Sequence, residues 1–212
     1  MSEKETLAQQ VYREIKQRIL RGEIGIGTAL TERGLAGSSG ISRTPLRSAI
    51  SRLEKEGVIT RLANGALIVR DVSVEQLLEI VQVRRLLEGA AASRAAGHGM
   101  TPALEQARRM MTAYIDDDGI AFDRFWVDDE AFHQAVVAAA GLSLLPSLLA
   151  EMRETALRCT ITRTHDRFAE QAREHLAVIE AIATGDAEQA RAAMEAHFDS
   201  VRTRFLEWLG QR

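Results

Sequence analysis

From Ser73 to about residue 209 the chain repeats its apolar residues at helical spacing and offers no convincing strand pattern. That run constrains the fold more than any other feature. Ser73 is placed to cap a helix with Leu77, Leu78, Val81, Leu86 and Leu87 inside, ending at Gly97 to Gly99. Five more are expected at 102–116, 120–140, 143–164, 167–183 and 186–209, punctuated by Pro102, Gly119, Gly141 and Gly185. Residues 71–212 therefore read as an all-α antiparallel bundle of about six helices.

One of these helices carries polar groups on its apolar side. In "FWVDDEAFHQAVVAAAGL", residues Phe125, Asp129, Phe132, His133, Val136 and Ala140 fall on or beside one stripe. A buried, unpaired carboxylate is costly, so Asp129 needs partners. These can be ordinary hydrogen-bond partners, a metal or a catalytic device. His175 shares a face with Ile179 and Ile182, and His197 lies beside Met194, Val201 and Phe205. Three helices thus aim Asp129, His133, His175 and His197 toward a common interior. An i, i+4 pair on one helix plus one imidazole from each of two others is a sound chelate, with donors that suit Zn²⁺, Ni²⁺, Mn²⁺ or Fe²⁺.

Charge separates this region from what precedes it. Residues 1–70 hold 12 Lys/Arg against 7 Asp/Glu, whereas residues 71–212 hold 15 against 23. Two domains with different partners are expected, the basic one a candidate for a polyanion. No stretch approaches the roughly 18 consecutive apolar residues of a membrane span. The N-terminus lacks the apolar core of a secretory signal, which makes the cytoplasm the expected location, without a membrane partner. Cys159 is the single cysteine, so neither an intrachain disulfide nor a thiolate cluster can form.

The first seventy residues open with a helix whose stripe is Leu7, Val11, Ile15, Ile19 and Leu20, stopped at Gly22. "GEIGIGTAL" reads as a glycine-punctuated turn, and Thr31 can cap a short helix over "ERGLAGSS", ordered through Leu35 and Ala36. "GISRTPLRSAISRLEKEGVI" then gives Ser42 as N-cap, Pro45 in the first turn, and Leu46, Ala49, Ile50 and Leu53 as an inner face. Arg43, Thr44, Arg47, Ser48, Ser51 and Arg52 stay outside. Hydroxyls and forked guanidiniums at a helix N-terminus are the equipment of a recognition helix in a DNA major groove. "VITRLANGALIV" follows as two short strands around Ala63-Asn64-Gly65, a hairpin that would form the wing.

This order of elements, with "VYREIKQRIL", "TERGLA" and "SRTPLR", resembles the N-terminal domain of GntR-type bacterial transcription regulators. The resemblance implies a winged helix-turn-helix over 1–70 that contacts a double-stranded operator through Arg33, Arg43, Thr44 and Arg47, with Gly65 at the wing tip. Two departures bear on affinity: "RGLAGSSG" is a poorer helix former than the family's segment, and "ANGA" lacks the basic residue often found beside the wing glycine.

Asp129-x-x-x-His133, His175 and His197 are in turn similar to the metal-binding positions of the FCD effector domain, and six helices point to its VanR-like branch. That resemblance implies a homodimeric regulator, a repressor by expectation, on a palindromic operator, with a small organic acid as effector. Arg84 and Arg158 are the arginines assigned to that acid, since guanidinium matches carboxylate geometry. Arg85, Arg163, Thr160 and Thr162 are neighbouring candidates. Two alternatives use the same Asp/His₃ site: a metalloenzyme activating water or oxygen, and a regulator for which the metal is itself the signal.

Overall fold

The computed structural model describes residues 6–39, 42–115, 119, 121–159, 162 and 167–210, with the side chains of all but 37–39. The chain divides into two compact units, Met1–Val72 and Ser73–Arg212. Each has its own apolar core.

In the first unit α1 (Leu7–Leu20) begins with a capping box between Thr6 and Gln9. Its buried stripe starts a turn later than the sequence suggests. Leu7 is 51% exposed, and Tyr12 joins the core because its hydroxyl reaches Glu56 at 2.6 Å. Thr31 Oγ1 accepts from Gly34 N at 3.0 Å and caps α2 (Glu32–Ser39), which buries Leu35. In α3 (Arg43–Lys55), Leu46, Ala49, Ile50 and Leu53 are the buried face. Ser42 occupies the N-cap position without a side-chain cap bond. The third helical position, a usual donor to such a cap, is Pro45, which has no N–H.

The strands β1 (Ala29–Leu30), β2 (Ile59–Arg61) and β3 (Leu67–Val69) form an antiparallel sheet in the order β1-β3-β2, with Leu30 and Arg61 both opposite Leu67. β1 lies within the segment read as a turn. Two residues among glycines carry no period of their own, and pairing with β3 alone makes them a strand. The hairpin closes with Gly65 N on Leu62 O at 2.9 Å and Leu62 N on Ala66 O at 2.8 Å. Only Gly65 has a positive φ there, at 82°, so the wing turns by a type I turn with a glycine bulge.

The second unit contains, among the described residues, α4 (Val74–Ala96), α5 (Pro102–Ala113), α6 (Phe122–Ala139), α7 (Leu145–Ala156), α8 (Phe168–Thr184) and α9 (Ala187–Gly210). Ser73 and Gln76 make the capping box of α4. α4 lies along α9 so closely that a Cβ on Gly89 would stand 3.0 Å from Glu195 Cγ. The inner face of α4 departs from expectation. Leu86 is 56% exposed, while Leu77, Val81, Arg84, Glu88, Ala92 and Ala95 form the buried line at intervals of three and four. Two charged residues in that line disguise it in the sequence.

α7 is shorter than the expected 143–164 and ends at Ala156, so Arg158 follows the helix. Thr160, Arg163 and His165 lie outside the described residues.

Candidate metal centre and DNA-facing surface

α6 supplies Asp129 and His133 on the same side as Phe125, Phe132 and Val136, and all six of its expected stripe residues are buried. α8 supplies His175 from a face that includes Ile179 and Ile182, and α9 supplies His197 beside Met194 and Phe198. The structure brings the four polar groups together. One ring nitrogen from each histidine lies within 4.8 Å of the others. Asp129 Oδ1 stands 3.4 Å from His175 Nε2 and 3.8 Å from His133 Nε2.

The outward nitrogens have other work. His133 Nδ1 faces Glu88 Oε2 at 2.5 Å, His197 Nδ1 faces Glu174 Oε2 at 2.9 Å, and His175 Nδ1 faces Met111 Sδ at 3.2 Å. A carboxylate on Nδ1 keeps the proton there and leaves the Nε2 lone pair pointing inward, which is how metal-binding histidines are oriented. His175 Nε2 is buried without a hydrogen bond from any described residue. An orphaned buried acceptor costs about 1–3 kcal/mol, so this atom asks for a ligand. Three buried imidazole nitrogens within 4.8 Å of one another, with a carboxylate beside two of them, are a donor set that would fit a divalent transition metal.

The acids around the histidines are each tied to an arginine. Arg153 Nη1 and Gln171 Nε2 donate to the two oxygens of Asp129, the latter at 2.6 Å. Arg84 Nε donates to Glu88 Oε1 at 2.7 Å, and Arg204 makes a two-pronged contact with Glu174 at 2.8 and 3.0 Å. These pairings decide the ionisation. Burial disfavours the charged form of Asp129, but the Arg153 guanidinium and the histidines hold its carboxyl well below the usual range. Burial likewise opposes ionisation of Glu88 and Glu174. Arg84 and His133 bring the first down to about 2, and His197 and Arg204 do the same for the second. Burial pushes His175 well below the ordinary imidazole value, with the neighbouring His197 adding to it. His197 is also lowered by burial, opposed by Glu174. Neutral imidazoles are the ligating form.

A cavity of about 60 Å³, measured as space for the centres of water molecules, adjoins this cluster. Asp129, His133 and His197 line it, with Arg84, Arg153 and Arg204 and an apolar wall including Phe122, Trp126 and Phe198. Arg84 is 7% exposed, lies over the Phe198 ring at 4.9 Å, and has its Nη2 without a hydrogen-bond partner among the described residues. Arg158 is buried too, but it donates to Thr155 and does not line this cavity. Thr162 does line it, although its hydroxyl is spent on Ala156 O at 2.7 Å. Arg85 faces α9 instead, bound to Glu195 and Asp199.

Sequence reasoning missed Arg153, Gln171, Arg204 and Glu174 as partners of the cluster. A single arginine on a helix of mixed polarity gives no signal. The i, i+4 spacing of Arg84 and Glu88 was visible, but nothing in it places that pair inside.

In the first unit Arg33, Arg43 and Arg47 surround a shallow depression between α2 and α3, and Thr44 and the wing glycine Gly65 are exposed. Glu32 stands among them. It accepts from Arg47 Nε at 3.0 Å and from Arg61 Nη1 at 3.1 Å.

A winged helix-turn-helix followed by a helical bundle with a buried imidazole cluster is the architecture of a DNA-binding regulator with a helical C-terminal domain. Residues 7–69 match the gntR family of bacterial regulatory proteins, and residues 79–200 match the FCD domain. The chain belongs to the GntR family of transcription regulators, in the group that carries an FCD domain.

Solved structures agree on the fold. E. coli McbR/YncC superposes with a TM-score of 0.76 at 18% identity, covering 97% of this chain and 99% of that one. A GntR transcriptional regulator from Rhodococcus sp. RHA1 gives 0.74 at 18% identity, covering 94% and 97%. The metal-free FCD domain of TM0439 gives 0.56 at 20% identity, covering 66% of this chain and 99% of that domain. No curated protein matches the sequence significantly. No helix among the described residues is long and apolar enough to cross a membrane.

Proposed function

We propose that the chain is a ligand-responsive repressor that binds a palindromic operator as a homodimer through residues 1–70 and senses a small organic acid through residues 71–212. Asp129, His133, His175 and His197 hold the divalent transition metal, which supplies a positively charged docking point for a ligand carboxylate or hydroxyl. The observation that carries this reading is the orphaned His175 Nε2, buried beside two imidazoles and a carboxylate next to a cavity. Three nitrogen donors and one oxygen suit Zn, Ni, Mn or Fe. That the similar FCD domain of TM0439 is distinguished as metal-free supports the assignment. The six helices found among the described residues of the second unit favour the VanR-like branch.

Arg33, Arg43, Thr44, Arg47 and Gly65 meet the operator, with the arginines on guanines or phosphates and the wing glycine close to the backbone. Two copies related by a two-fold axis present their α3 helices to successive major grooves. Val83 (40% exposed) and Leu86 (56%) give α4 an outward apolar pair for that association. Arg84 anchors the effector from the cavity wall, whereas Arg158, expected to share this role, stands outside that wall.

The test pairs metal analysis with operator binding for the wild type, His175→Ala/His197→Ala and Arg43→Ala. The expected result is about one transition metal per chain in the wild type and Arg43→Ala, none in the histidine variant, and weakened operator binding in Arg43→Ala. Absence of metal from wild-type protein supplied with each of the four ions would overturn the metal site and leave the DNA-binding assignment standing.

A further inference from the structure

The charged side chains that surround the cavity cancel one another. Arg84 is paired with Glu88, Arg153 with Asp129, and Arg204 with Glu174. Each acid is buried or nearly so, with side-chain exposures of 0%, 4% and 21%. Glu130 is a further acid in contact with Arg153, more exposed than the other three at 31%. The imidazoles that ligate are neutral. The protein therefore offers a divalent ion one carboxylate whose charge is already balanced by a guanidinium. An ion in this site adds two positive charges to a poorly hydrated space in which Glu130 is the one acid in excess of the three arginines, so an occupant that brings counter-charge is favoured.

A second observation gives the occupant two points of attachment, an ion held by the histidines and the Arg84 guanidinium. Arg84 Nη2 and His175 Nε2 are both buried and both lack hydrogen bonds from the described residues. Arg84 and His197 border the same Phe198 ring, the guanidinium carbon 4.9 Å and the imidazole 5.0 Å from its centroid. Arg84 and the histidine cluster thus border one aromatic ring. The small volume of the cavity and its apolar wall suit a short carbon chain between two anionic ends.

We infer that the effector is a short-chain dicarboxylate dianion, with one carboxylate at the histidine end of the cavity and the other on Arg84 Nη2. This rests on the metal reading above and narrows it. Monocarboxylates of similar length satisfy only one end.

The experiment uses full-length protein whose zinc content is measured first, titrated calorimetrically with succinate and with butyrate. Succinate is expected to bind about tenfold or more tighter than butyrate. In Arg84→Gln that preference is expected to collapse to within about twofold, through weaker succinate binding with butyrate little changed. If Arg84→Gln does not fold, Arg84→Lys, which keeps Glu88 paired and loses the forked edge, is expected to reduce the preference in the same direction. Zinc-loaded protein that binds both acids equally, prefers butyrate or binds neither would overturn the dianion assignment alone, as would a succinate preference unchanged in the Arg84 variant. Protein that takes up no zinc, nickel, manganese or iron would overturn the metal reading, and this inference with it.

Discussion

Glu88, fully buried on α4, places its Oε2 2.5 Å from His133 Nδ1 on α6 while its other oxygen takes the Arg84 guanidinium. One carboxylate therefore sets the tautomer of a histidine in the candidate metal site and the position of the arginine at the cavity wall. Glu88→Gln retains the shape and an acceptor but removes the charge. It is expected to lower metal affinity by about 10–100-fold, read by competition with a chelator of known affinity. Unchanged affinity would mean that His133 needs no outer partner.

Arg153 donates to Asp129 and to the Trp126 carbonyl at 3.1 Å, and its guanidinium lies 4.1 Å from the Trp126 ring centroid. Removing it leaves a buried carboxylate beside the histidines. Arg153→Ala is expected to destabilise the metal-free second unit by about 3–5 kcal/mol in urea denaturation. Added metal should recover part of the loss, since an ion supplies Asp129 with positive charge; the same deficit with and without metal would separate Asp129 from the metal.

Acid should unfold the metal-free protein in two overlapping stages. Burial lowers the pKa of His175 and His197 below 6.5, so unfolded imidazoles protonate first and stability begins to fall as pH drops through that value. Glu88 and Glu174 are held at about 2 against an ordinary 4.5. Their contribution is complete above 4.5 and is lost as pH falls toward 2. Urea midpoints measured at constant ionic strength from about pH 7.5 to about pH 4 should decline throughout, and a flat profile would contradict the buried neutral histidines.

On the candidate DNA-binding surface, Glu32 holds Arg47 and Arg61, and the hydrogen bond from Arg47 is the main reason its carboxyl is lowered. Glu32→Gln frees Arg47, while Arg61 stays on Glu54, 3.0 Å from its Nε. It is expected to tighten binding to random duplex DNA several-fold and to steepen the salt dependence by up to about one phosphate contact. Fluorescence anisotropy across a salt series measures both, and weaker binding would show that Glu32 orients the arginines instead of restraining them.

The helical period, the two-domain charge division, the winged-helix layout and the polar stripe of α6 were all legible along the chain. These are local properties: Asp129 and His133 share a face because four residues make about one turn. His175 and His197 were legible for the same reason, as imidazoles on otherwise apolar stripes. The groups that hold them became visible only once the helices had packed. Glu88, Glu174, Arg153 and Arg204 look like ordinary surface charges along the chain, and their burial depends on helices meeting across 23 to 45 residues of sequence. The rotation of α4 that hides Arg84 and exposes Leu86 has the same origin. Ion pairing between neighbouring helices offsets the cost of burying charge, and the partner that makes this possible has no fixed sequence distance.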